Sequence, residues 1–539
     1  MVVGARRLRR RGLVPLVANG ALIAVTGLTV VAPAAPTDIR EQTVRLTGAD
    51  SPLAGSETAL IMGPSGIPIP TQSYADAVDR LFLQPLGFTG KTQILATPEG
   101  LQPITGVKSL GDATSNAQDE QILDNAIMAQ YTSGAISPDH PLAIFGWSQS
   151  TVASTMLMSK LASQGVPSAD LHFILDGDEA TPNGGVLERF DLPAGSSPSI
   201  PSLDIQFTGA EPNDLYPTDV YTFGYDGFTN FPQYPIDLLS DLNAVLGILF
   251  DHLGYLGATP QQIADAVQLP TSAADTLTNY FVIPTDNLPL LEILLLIPGI
   301  GKPLYDLLAP DMSVLVNVGY GNIGSVSADG LITGGWSPTD ADVATPMSFL
   351  PPASVLAQVP QALAAGWQQG VTAAMSDLQH PESYSTVLDN SQLSTVVASA
   401  NAVGWTDATS PSQLLSDPTE LMSLVKTVLS EFANFPVSNA TITSSLTDII
   451  NDLTGTVSND YSALLPLADT ATALLVSMPA YDAQLFASEL ADGNLLAAIG
   501  DPIAADTALI PLAGLFGLSA PLISGLGTLV NLGDLIPGA

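Results

Sequence analysis

Short apolar runs alternate with stretches of helical periodicity over about the first half of this 539-residue chain. The apolar runs are hydrophobic on both faces, a pattern typical of parallel strands covered by helices on both sides. We expect strands at residues 58–63, 91–98, 141–146, 171–177, 203–209 and 219–227. We expect helices between the first four strands, at residues 74–82, 116–131 and 150–164. The alternation predicts an α/β core with a parallel sheet over residues 57–255.

The chain changes character after this core. Residues 287–310 are apolar, but Pro289, Pro298 and Pro303 interrupt them too often for a membrane-spanning helix. We expect this segment to be an apolar cap region, which covers the core as a lid or simply packs on it. Residues 340–539 are rich in Ala and Leu and have helical periodicity in stretches. We therefore expect an α/β domain over residues 50–335 and a helical C-terminal extension over residues 340–539.

Acidic residues outnumber basic residues by 52 to 14, which gives a formal net charge of −38. Such a surface repels phosphate backbones, so no nucleic-acid partner is expected. Charged residues are nevertheless only 12% of the chain and hydrophobic residues are 46%, which argues against an acidic disordered protein. The chain has no cysteine and four histidines, so we expect no disulfide and no metal site.

The N-terminus has the pattern of an export signal. Five of the first eleven residues are arginine, and an apolar stretch follows them. The stretch Ala32-Pro33-Ala34 offers small residues at a plausible cleavage site. The apolar run is long for a signal peptide and too interrupted by glycine for a spanning helix, so residues 1–35 are either a cleaved signal peptide or an N-terminal membrane anchor. Both alternatives predict a protein that is secreted or held in the cell envelope.

The segment Gly146-Trp147-Ser148-Gln149-Ser150 joins a predicted strand to a predicted helix. A serine on such a tight turn is held at the C-terminal edge of the sheet, as the nucleophile of an α/β-hydrolase is. The turn needs small residues two positions before and two positions after the serine, and Gly146 and Ser150 supply them. The N-terminus of the following helix favours developing negative charge. The segment predicts Ser148 as a nucleophile; an ordinary serine at a strand end is the alternative.

A serine nucleophile needs a base, and in this fold the acid and the histidine follow the serine along the chain. His140 precedes Ser148, and His380 lies in the predicted extension. His172 begins a predicted strand, at the end of a parallel sheet opposite to the site. His252 follows a predicted helix near the end of the core, where the base is expected. Elimination favours His252, although a lone histidine on an apolar helix is more often a packed side chain.

The acid is less constrained, because several aspartates end or follow predicted strands. Asp226 is preferred, since it follows an apolar strand and Gly227 allows a sharp turn after it. Asp176 also ends a predicted strand and stays open as the acid. Asp178 and Asp214 are further alternatives, and an exposed, solvated aspartate is the default for each of these positions.

Two groups are expected to stabilise the oxyanion of an acyl-transfer intermediate. One is the backbone N–H of Gln149, the residue after the nucleophile. The other comes from the loop after the first strand, residues 62–70, where Ser65 lies between Gly63 and Gly66 and offers a backbone or hydroxyl donor. The alternative is a proline- and glycine-rich turn without a catalytic role.

These residues belong to a series of sequence blocks that resembles a known family: the PE-PPE domain of mycobacteria and their relatives, a cutinase-like serine α/β-hydrolase. The blocks are MGPSGIPIP, GWSQS, PNGGVLERF, YDGFTNFPQYP, HLGY, YFVIPTDNLPLL and LVNVGYGN, in this order within residues 57–335. The resemblance implies an α/β-hydrolase fold. It also implies that the serine, aspartate and histidine of the family correspond to Ser148, Asp226 and His252.

The resemblance has implications for function as well. Members of the family are esterases or lipases that act on acyl esters, and some resemble acyltransferases that move fatty acyl chains between trehalose-based envelope glycolipids. We therefore expect an exported serine esterase, lipase or acyltransferase that acts on fatty acyl esters or envelope glycolipids through a Ser-Asp-His triad and an acyl-enzyme. No cofactor is expected, because nucleophilic attack by a serine with a histidine base needs none. Such substrates imply association with membrane or envelope lipids. The alternative is a non-catalytic, secreted cell-surface or lipid-binding protein on a hydrolase scaffold.

Overall fold

The computed structural model of the protein describes residues 51–106, 109–285, 287–326, 332–333, 340–380, 391–431, 458 and 464–534. The predicted export segment, residues 1–35, lies outside the described residues. Within the described part, a mostly parallel sheet is flanked by helices, which is the arrangement of an α/β-hydrolase fold.

The strands of the described chain form one large sheet and two small ones. They are β1 (Thr58–Ile61), β2 (Lys91–Ile94), β3 (Leu142–Trp147), β4 (Leu171–Asp176), β5 (Ser199–Ile200), β6 (Ile205–Gln206), β7 (Thr218–Phe223), β8 (Val267–Gln268), β9 (Thr278–Ile283), β10 (Ser325–Val326) and β11 (Ile332–Thr333). The described central sheet has seven strands in the order β2-β1-β3-β4-β7-β9-β8. Neighbouring strands in this sheet run parallel, except that β8 runs antiparallel to β9. The pairs β5–β6 and β10–β11 are antiparallel.

The order of the strands marks a binding edge. The chain places β2 on one side of β1 and then β3 on the other side, so the direction of strand addition reverses next to β1. In an open parallel sheet, ligands bind at the carboxyl ends of the strands near such a reversal. The loop after β1 carries Ser65 and the turn after β3 carries Ser148. Both candidate residues therefore lie at this point of the sheet.

Helices flank the sheet and form the described C-terminal region. They are α1 (Gln72–Val78), α2 (Asp112–Ser133), α3 (Gln149–Ser163), α4 (Val186–Arg189), α5 (Leu238–Phe250), α6 (Pro260–Ala264), α7 (Pro289–Leu295), α8 (Gly301–Val318), α9 (Ala353–Leu356), α10 (Val359–Gln379), α11 (Gln392–Ala402), α12 (Pro411–Ser416), α13 (Pro418–Glu431), α14 (Leu465–Thr472), α15 (Met478–Ala491) and α16 (Leu495–Asp534). A 3-10 helix over His252–Gly257 follows α5 and carries the candidate histidine.

Both faces of the sheet are apolar, because each buried strand divides its side chains between two cores. On β3, Leu142 and Ile144 pack in one core with Leu157 of α3. Ala143 and Phe145 pack in a second core on the other face. Full burial of a side chain of the size of Ile or Phe contributes about 1.5–3 kcal/mol. This two-sided burial is the physical origin of the continuous apolar runs in the sequence.

Two strand assignments differ from the expectation. Of residues 203–209, predicted as a strand of the sheet, only Ile205–Gln206 is a strand, and it pairs with β5 outside the central sheet. The reason is that Phe207 is buried elsewhere, in an apolar cluster with Phe190. Conversely, β9 pairs with β7 inside the central sheet although it lies beyond residue 255, the predicted end of the core. Its position next to the edge strand β8 gives it partly exposed side chains and a weaker apolar pattern.

The apolar segment at residues 287–310 packs on the core. Leu291 and Leu295 of α7 share an apolar cluster with Tyr305 of α8 and with Tyr225. Because Tyr225 directly precedes Asp226 in the chain, this segment supports the loop that carries the candidate acid.

The C-terminal helices also pack on the α/β core. The Tyr481 hydroxyl of α15 donates a hydrogen bond to the backbone oxygen of Phe190 at 2.9 Å. Leu509 and Leu512 of α16 lie in the same apolar cluster as Phe190. Among the described residues, Leu495–Ser519 of α16 is long and apolar enough to cross a membrane, by length and composition only. In the structure, 44% of the most apolar part of this helix is buried against the rest of the protein, so its apolar composition also fits a helix that packs on the protein.

Candidate active site

Ser148 occupies the sharp turn between β3 and α3. Its backbone has φ of 57° and ψ of −126°, a strained conformation that costs on the order of 1–3 kcal/mol for a residue with a side chain. The Ser148 N–H donates to the backbone oxygen of Asp176 at 2.9 Å, and α3 begins at the next residue. The fold therefore holds a turn of the kind that presents a nucleophile at the edge of an α/β-hydrolase sheet.

The neighbours of Ser148 explain why the turn needs small side chains. A Cβ atom at Gly146 would lie 3.0 Å from the backbone oxygen of Ser150 and 3.1 Å from the backbone nitrogen of Thr151, which is tighter than ordinary contact. The Ser150 hydroxyl accepts a hydrogen bond from the Trp147 N–H at 2.9 Å. Serine at this position therefore ties the turn together where the common motif has glycine.

His252 and Asp226 form a buried pair. Nδ1 of His252 lies 2.7 Å from Oδ2 of Asp226. The same oxygen accepts a hydrogen bond from the Tyr255 hydroxyl at 2.8 Å, and Oδ1 accepts one from the Phe228 N–H at 3.0 Å. A carboxylate beside Nδ1 favours the tautomer with its proton on that nitrogen, so Nε2 is the proton acceptor of the neutral imidazole.

Ser148 and His252 border one cavity without a hydrogen bond between them. The cavity has a volume of about 380 Å³. Nε2 of His252 is buried and has no hydrogen-bond partner among the described residues. The ring of Phe228 packs edge-on against the imidazole, with 4.8 Å between the ring centroids. Hydrogen bonds between a nucleophile and its base often tighten only when substrate binds, so this arrangement suits a serine and its base.

The other acid and histidine candidates have different surroundings. Neither carboxyl oxygen of Asp176 has a hydrogen-bond partner among the described residues, and burial raises the pKa of this group well above its ordinary value. Asp178 accepts a hydrogen bond from the Ala180 N–H at 3.0 Å. Nε2 of His172 lies 2.9 Å from Oδ2 of Asp219. Both residues lie near the beginnings of their strands, β4 and β7, at the end of the sheet opposite to Ser148. The preferred aspartate is thus the one that the structure places against the candidate base.

The two predicted oxyanion donors are adjacent. The Ser65 hydroxyl donates to Oε1 of the Gln149 side chain at 2.9 Å. Nε2 of Gln149 donates in turn to the backbone oxygen of Gly100 at 2.7 Å. Gln149 is the first residue of α3, so its backbone N–H has no partner inside the helix. The structure therefore brings Ser65 and Gln149 together beside Ser148.

Glu179 is a neighbour of Ser148 that the sequence patterns did not predict. The Ser148 hydroxyl donates to Oε1 of Glu179 at 3.3 Å. Burial, followed by repulsion from Asp112 and Asp178, raises the pKa of Glu179 well above its ordinary value and favours the neutral acid. The sequence signal that points to Glu179 is the acidic run just after β4, the strand next to β3.

The arrangement contains the parts of an acyl-transfer site. It has a hydroxyl on a strained turn, an imidazole with one nitrogen on a buried carboxylate, and a helix N-terminus beside the hydroxyl. Among the residues that the structure describes, no group of three or more His, Asp or Glu side chains is arranged to hold a metal ion.

Much of this chain is similar in sequence to known proteins. Residues 89–321 match the family model described as the PE-PPE domain. The chain is 34% identical over 487 residues to the uncharacterized PPE family protein PPE28 of Mycobacterium tuberculosis, an alignment that covers 89% of this chain and 67% of that protein. It is 38% identical over 311 residues to Esterase PE16 of the same species, covering 57% of this chain and 53% of that protein. It is 29% identical over 217 residues to SL1278 acyltransferase Chp1, also of Mycobacterium tuberculosis, covering 39% of this chain and 50% of that protein.

The extent of these matches establishes the family. No solved structure matches the chain significantly. The chain spans between about half and two thirds of the length of the three relatives named above. The family includes proteins named as an esterase and as an acyltransferase, which supports esterase or acyltransferase activity in general. Because residues 89–321 match the domain model and the alignment to PPE28 covers most of this chain, the chain belongs to the PE-PPE domain family.

Proposed function

We propose that the protein is a serine esterase or acyltransferase that acts on fatty acyl esters, with Ser148, His252 and Asp226 as its triad. The observation that carries the proposal is the 2.7 Å contact between His252 and Asp226, which leaves Nε2 unpartnered, within the described residues, beside the cavity that Ser148 also borders. The relatives named as an esterase and as an acyltransferase support this reaction class. Similarity to a protein named Diacyltrehalose acyltransferase Chp2, of the same species, supports glycolipids as substrates.

In the proposed reaction, Nε2 of His252 takes the proton of the Ser148 hydroxyl while the oxygen attacks the acyl carbonyl. The tetrahedral intermediate expels the alcohol, which leaves with the proton that His252 carried, and an acyl-enzyme remains. Water or a sugar hydroxyl then gives its proton to His252 and attacks the acyl carbonyl, and Ser148 recovers its proton as it leaves. Attack by water releases a free acid, and attack by a sugar hydroxyl forms a new ester.

The other proposed groups act on charge and orientation. Asp226 orients the imidazole and stabilises the imidazolium that forms. The Gln149 N–H, at the start of α3, donates to the oxyanion. The Ser65 hydroxyl rotates about its C–O bond, so it can turn from the Gln149 side chain to the oxyanion when a substrate enters. Removal of one oxyanion donor costs about 10²–10³ in kcat in well-studied hydrolases.

We also propose that the protein works outside the cytoplasm, either secreted or held in the cell envelope. The arginine cluster and the apolar stretch within residues 1–35 support this location. Fractionation of cells that produce the full chain is the test. Recovery in the medium or the envelope is expected, and recovery in the cytosol alone would contradict the proposal.

Ser148→Ala tests the proposed activity directly. The purified full-length protein is expected to hydrolyse p-nitrophenyl butyrate, and the variant is expected to lose at least about 10³-fold in kcat, because no other group replaces the nucleophile. Ser163→Ala, at the exposed end of α3, is the matched control and is expected to keep the wild-type rate. Equal turnover by Ser148→Ala and the wild type, or no turnover by the wild type, would oppose the proposal.

A non-catalytic lipid-binding protein on a hydrolase scaffold is the second candidate. The observation in its favour is the hydrogen bond from Ser148 to Glu179, because it turns the hydroxyl proton away from His252. This candidate predicts that the wild-type protein binds a fatty acid or its ester but turns over no ester. The same butyrate assay, combined with a binding measurement, separates the two candidates.

A further inference from the structure

The cavity beside Ser148 has one wall that lies beyond the matched PE-PPE segment in sequence. We propose that this cavity binds the hydrocarbon chain of the acyl group, and that the C-terminal helices thereby determine which chain lengths react. The inference rests on the proposed function and deepens it, since it assigns a role to the helical extension and a substrate class to the site.

The two walls of the cavity come from distant parts of the chain. Trp147 and Phe228 belong to the catalytic wall, next to Ser148 and His252. The second wall, which we call the helical wall, consists of Val396, Ser399, Ala400, Val403, Trp405, Leu424, Leu515 and Ser519. These residues lie on α11, α13 and α16 and in the loop after α11. No Lys, Arg, Asp or Glu is among the described residues that line the cavity, so it suits a hydrocarbon chain better than a charged or sugar group.

The helical wall is fixed to the segment that carries the base. A Cβ atom at Gly257 would lie 1.8 Å from the backbone oxygen of Thr395 in α11, so this approach requires glycine. At the start of α11, Nε2 of Gln392 donates to Oδ1 of the buried Asp251 at 2.7 Å. Because Asp251 directly precedes His252, α11 and the base form one packed unit. A chain bound against α11 therefore lies beside the reacting groups.

The size and opening of the cavity suit an acyl chain. An apolar cavity of about 150 Å³ holds one benzene molecule, so a volume of about 380 Å³ has room for a chain of roughly ten carbons. Leu249 and Leu253 line the cavity and are 42% and 37% exposed, so it reaches the surface at an apolar rim.

The test fills the cavity from the helical wall. Ala400→Trp places an indole in the cavity, whereas Ala398→Trp, on the same helix, enlarges a residue that lines a separate groove with Asp76 and Arg80. The measured quantity is the ratio of kcat/KM for p-nitrophenyl octanoate to kcat/KM for p-nitrophenyl acetate, in the full-length protein. Each methylene that enters an apolar site raises kcat/KM about fourfold. We expect a ratio of at least about 100 in the wild type and in Ala398→Trp, and a ratio near one in Ala400→Trp.

The outcomes separate this inference from the proposed function. A ratio that is the same in Ala400→Trp and the wild type would overturn the pocket assignment while leaving the triad in place. Binding of a dansyl-labelled fatty acid methyl ester to the Ser148→Ala protein gives a second measurement that needs no turnover. We expect Ala400→Trp, when it is added to Ser148→Ala, to weaken this binding at least about tenfold. We expect Ala398→Trp, when it is added to Ser148→Ala, to leave the binding unchanged. Equal binding by all three proteins would overturn the inference, whatever the esterase assay shows.

Discussion

Nδ1 of His252 lies 2.7 Å from Oδ2 of Asp226, and the fully buried carboxylate takes another hydrogen bond on the same oxygen from Tyr255. This pair fixes the orientation and the tautomer of the imidazole, so Nε2 is the nitrogen available to a nucleophile. A chemically similar buried pair, His172 and Asp219, lies 2.9 Å apart at the opposite end of the sheet. The molecule therefore contains its own comparison for the role of the first pair.

Asp226→Asn is expected to lower kcat for p-nitrophenyl butyrate by about 10⁴-fold, because an amide in place of the carboxylate keeps the shape of the site but favours the wrong tautomer of His252. Asp219→Asn is the matched control, since it changes the pair at the other end of the sheet and is expected to keep kcat close to the wild-type value. Thermal unfolding of both variants shows whether they are folded. Similar losses of kcat in the two folded variants would contradict the assigned role of Asp226.

Glu179→Gln is expected to change the pH dependence of kcat/KM. The raised pKa of Glu179, caused first by burial and then by Asp112 and Asp178, favours the neutral carboxyl. As the pH rises through this raised pKa, the group gains a negative charge beside Ser148, which opposes the charge that develops on the oxyanion. Activity of the wild type is therefore expected to fall on the alkaline side.

The glutamine variant cannot ionise, so its alkaline limb is expected at higher pH than that of the wild type. Glu292→Gln is the control, because Glu292 is also buried and has a raised pKa but accepts its hydrogen bond from the backbone of Gln392. The measurement is kcat/KM for p-nitrophenyl butyrate between about pH 6 and pH 10. Identical alkaline limbs in the wild type and Glu179→Gln would show that Glu179 does not titrate in this range.

The stability of the protein is expected to fall as the pH rises. Burial raises the pKa of Asp112 and Asp119 to about 7 and that of Asp241 to about 9. A carboxyl with a raised pKa in the folded state binds more protons there than in the unfolded chain, so its contribution is fully present below the unfolded pKa of about 4. That contribution is lost progressively as the pH rises through the folded pKa. The free energy of unfolding is thus expected to decrease by several kcal/mol from about pH 5 to about pH 9.

Asp241→Asn separates the effect of one carboxyl from that of the net charge. Neither carboxyl oxygen of Asp241 has a hydrogen-bond partner among the described residues, and an amide resembles the neutral acid. The variant is expected to lose less stability between pH 5 and pH 9 than the wild type does, as measured by urea unfolding. A wild-type stability that is flat or increases over this range would refute the prediction.

The strands and site residues that could be predicted are those marked by a pattern of neighbouring residues in the sequence. The apolar run of β3, the following turn and α3 are contiguous, so they predict both the strand–turn–helix unit and the position of Ser148. His252 and Asp226 are 26 positions apart, and elimination and family resemblance favoured them. Their hydrogen bond depends on the fold, since it joins the end of β7 to the segment after α5.

Features that depend on distant packing could not be predicted. The contact between Ser148 and Glu179 arises because β3 and β4 are neighbours, and many acidic residues elsewhere follow strands in the same way. Leu515 lines the cavity although it lies more than 300 positions after Ser148 in the chain. An apolar residue on a helix is equally expected where the helix simply packs on the protein. Phe207 likewise gives no sign in the sequence that its partner is Phe190 rather than the sheet.

Covalent labelling with a fluorophosphonate tests whether Ser148 is an activated nucleophile, because this reagent forms a stable adduct with a serine that a neighbouring base has activated. We expect an adduct on the peptide that contains Ser148 in the full-length protein, identified by mass spectrometry. We expect no adduct on that peptide in Ser148→Ala and labelling slower by at least about 10³-fold in His252→Ala. The absence of an adduct on Ser148, or labelling of His252→Ala as fast as the wild type, would show that Ser148 and His252 are not a nucleophile and its base.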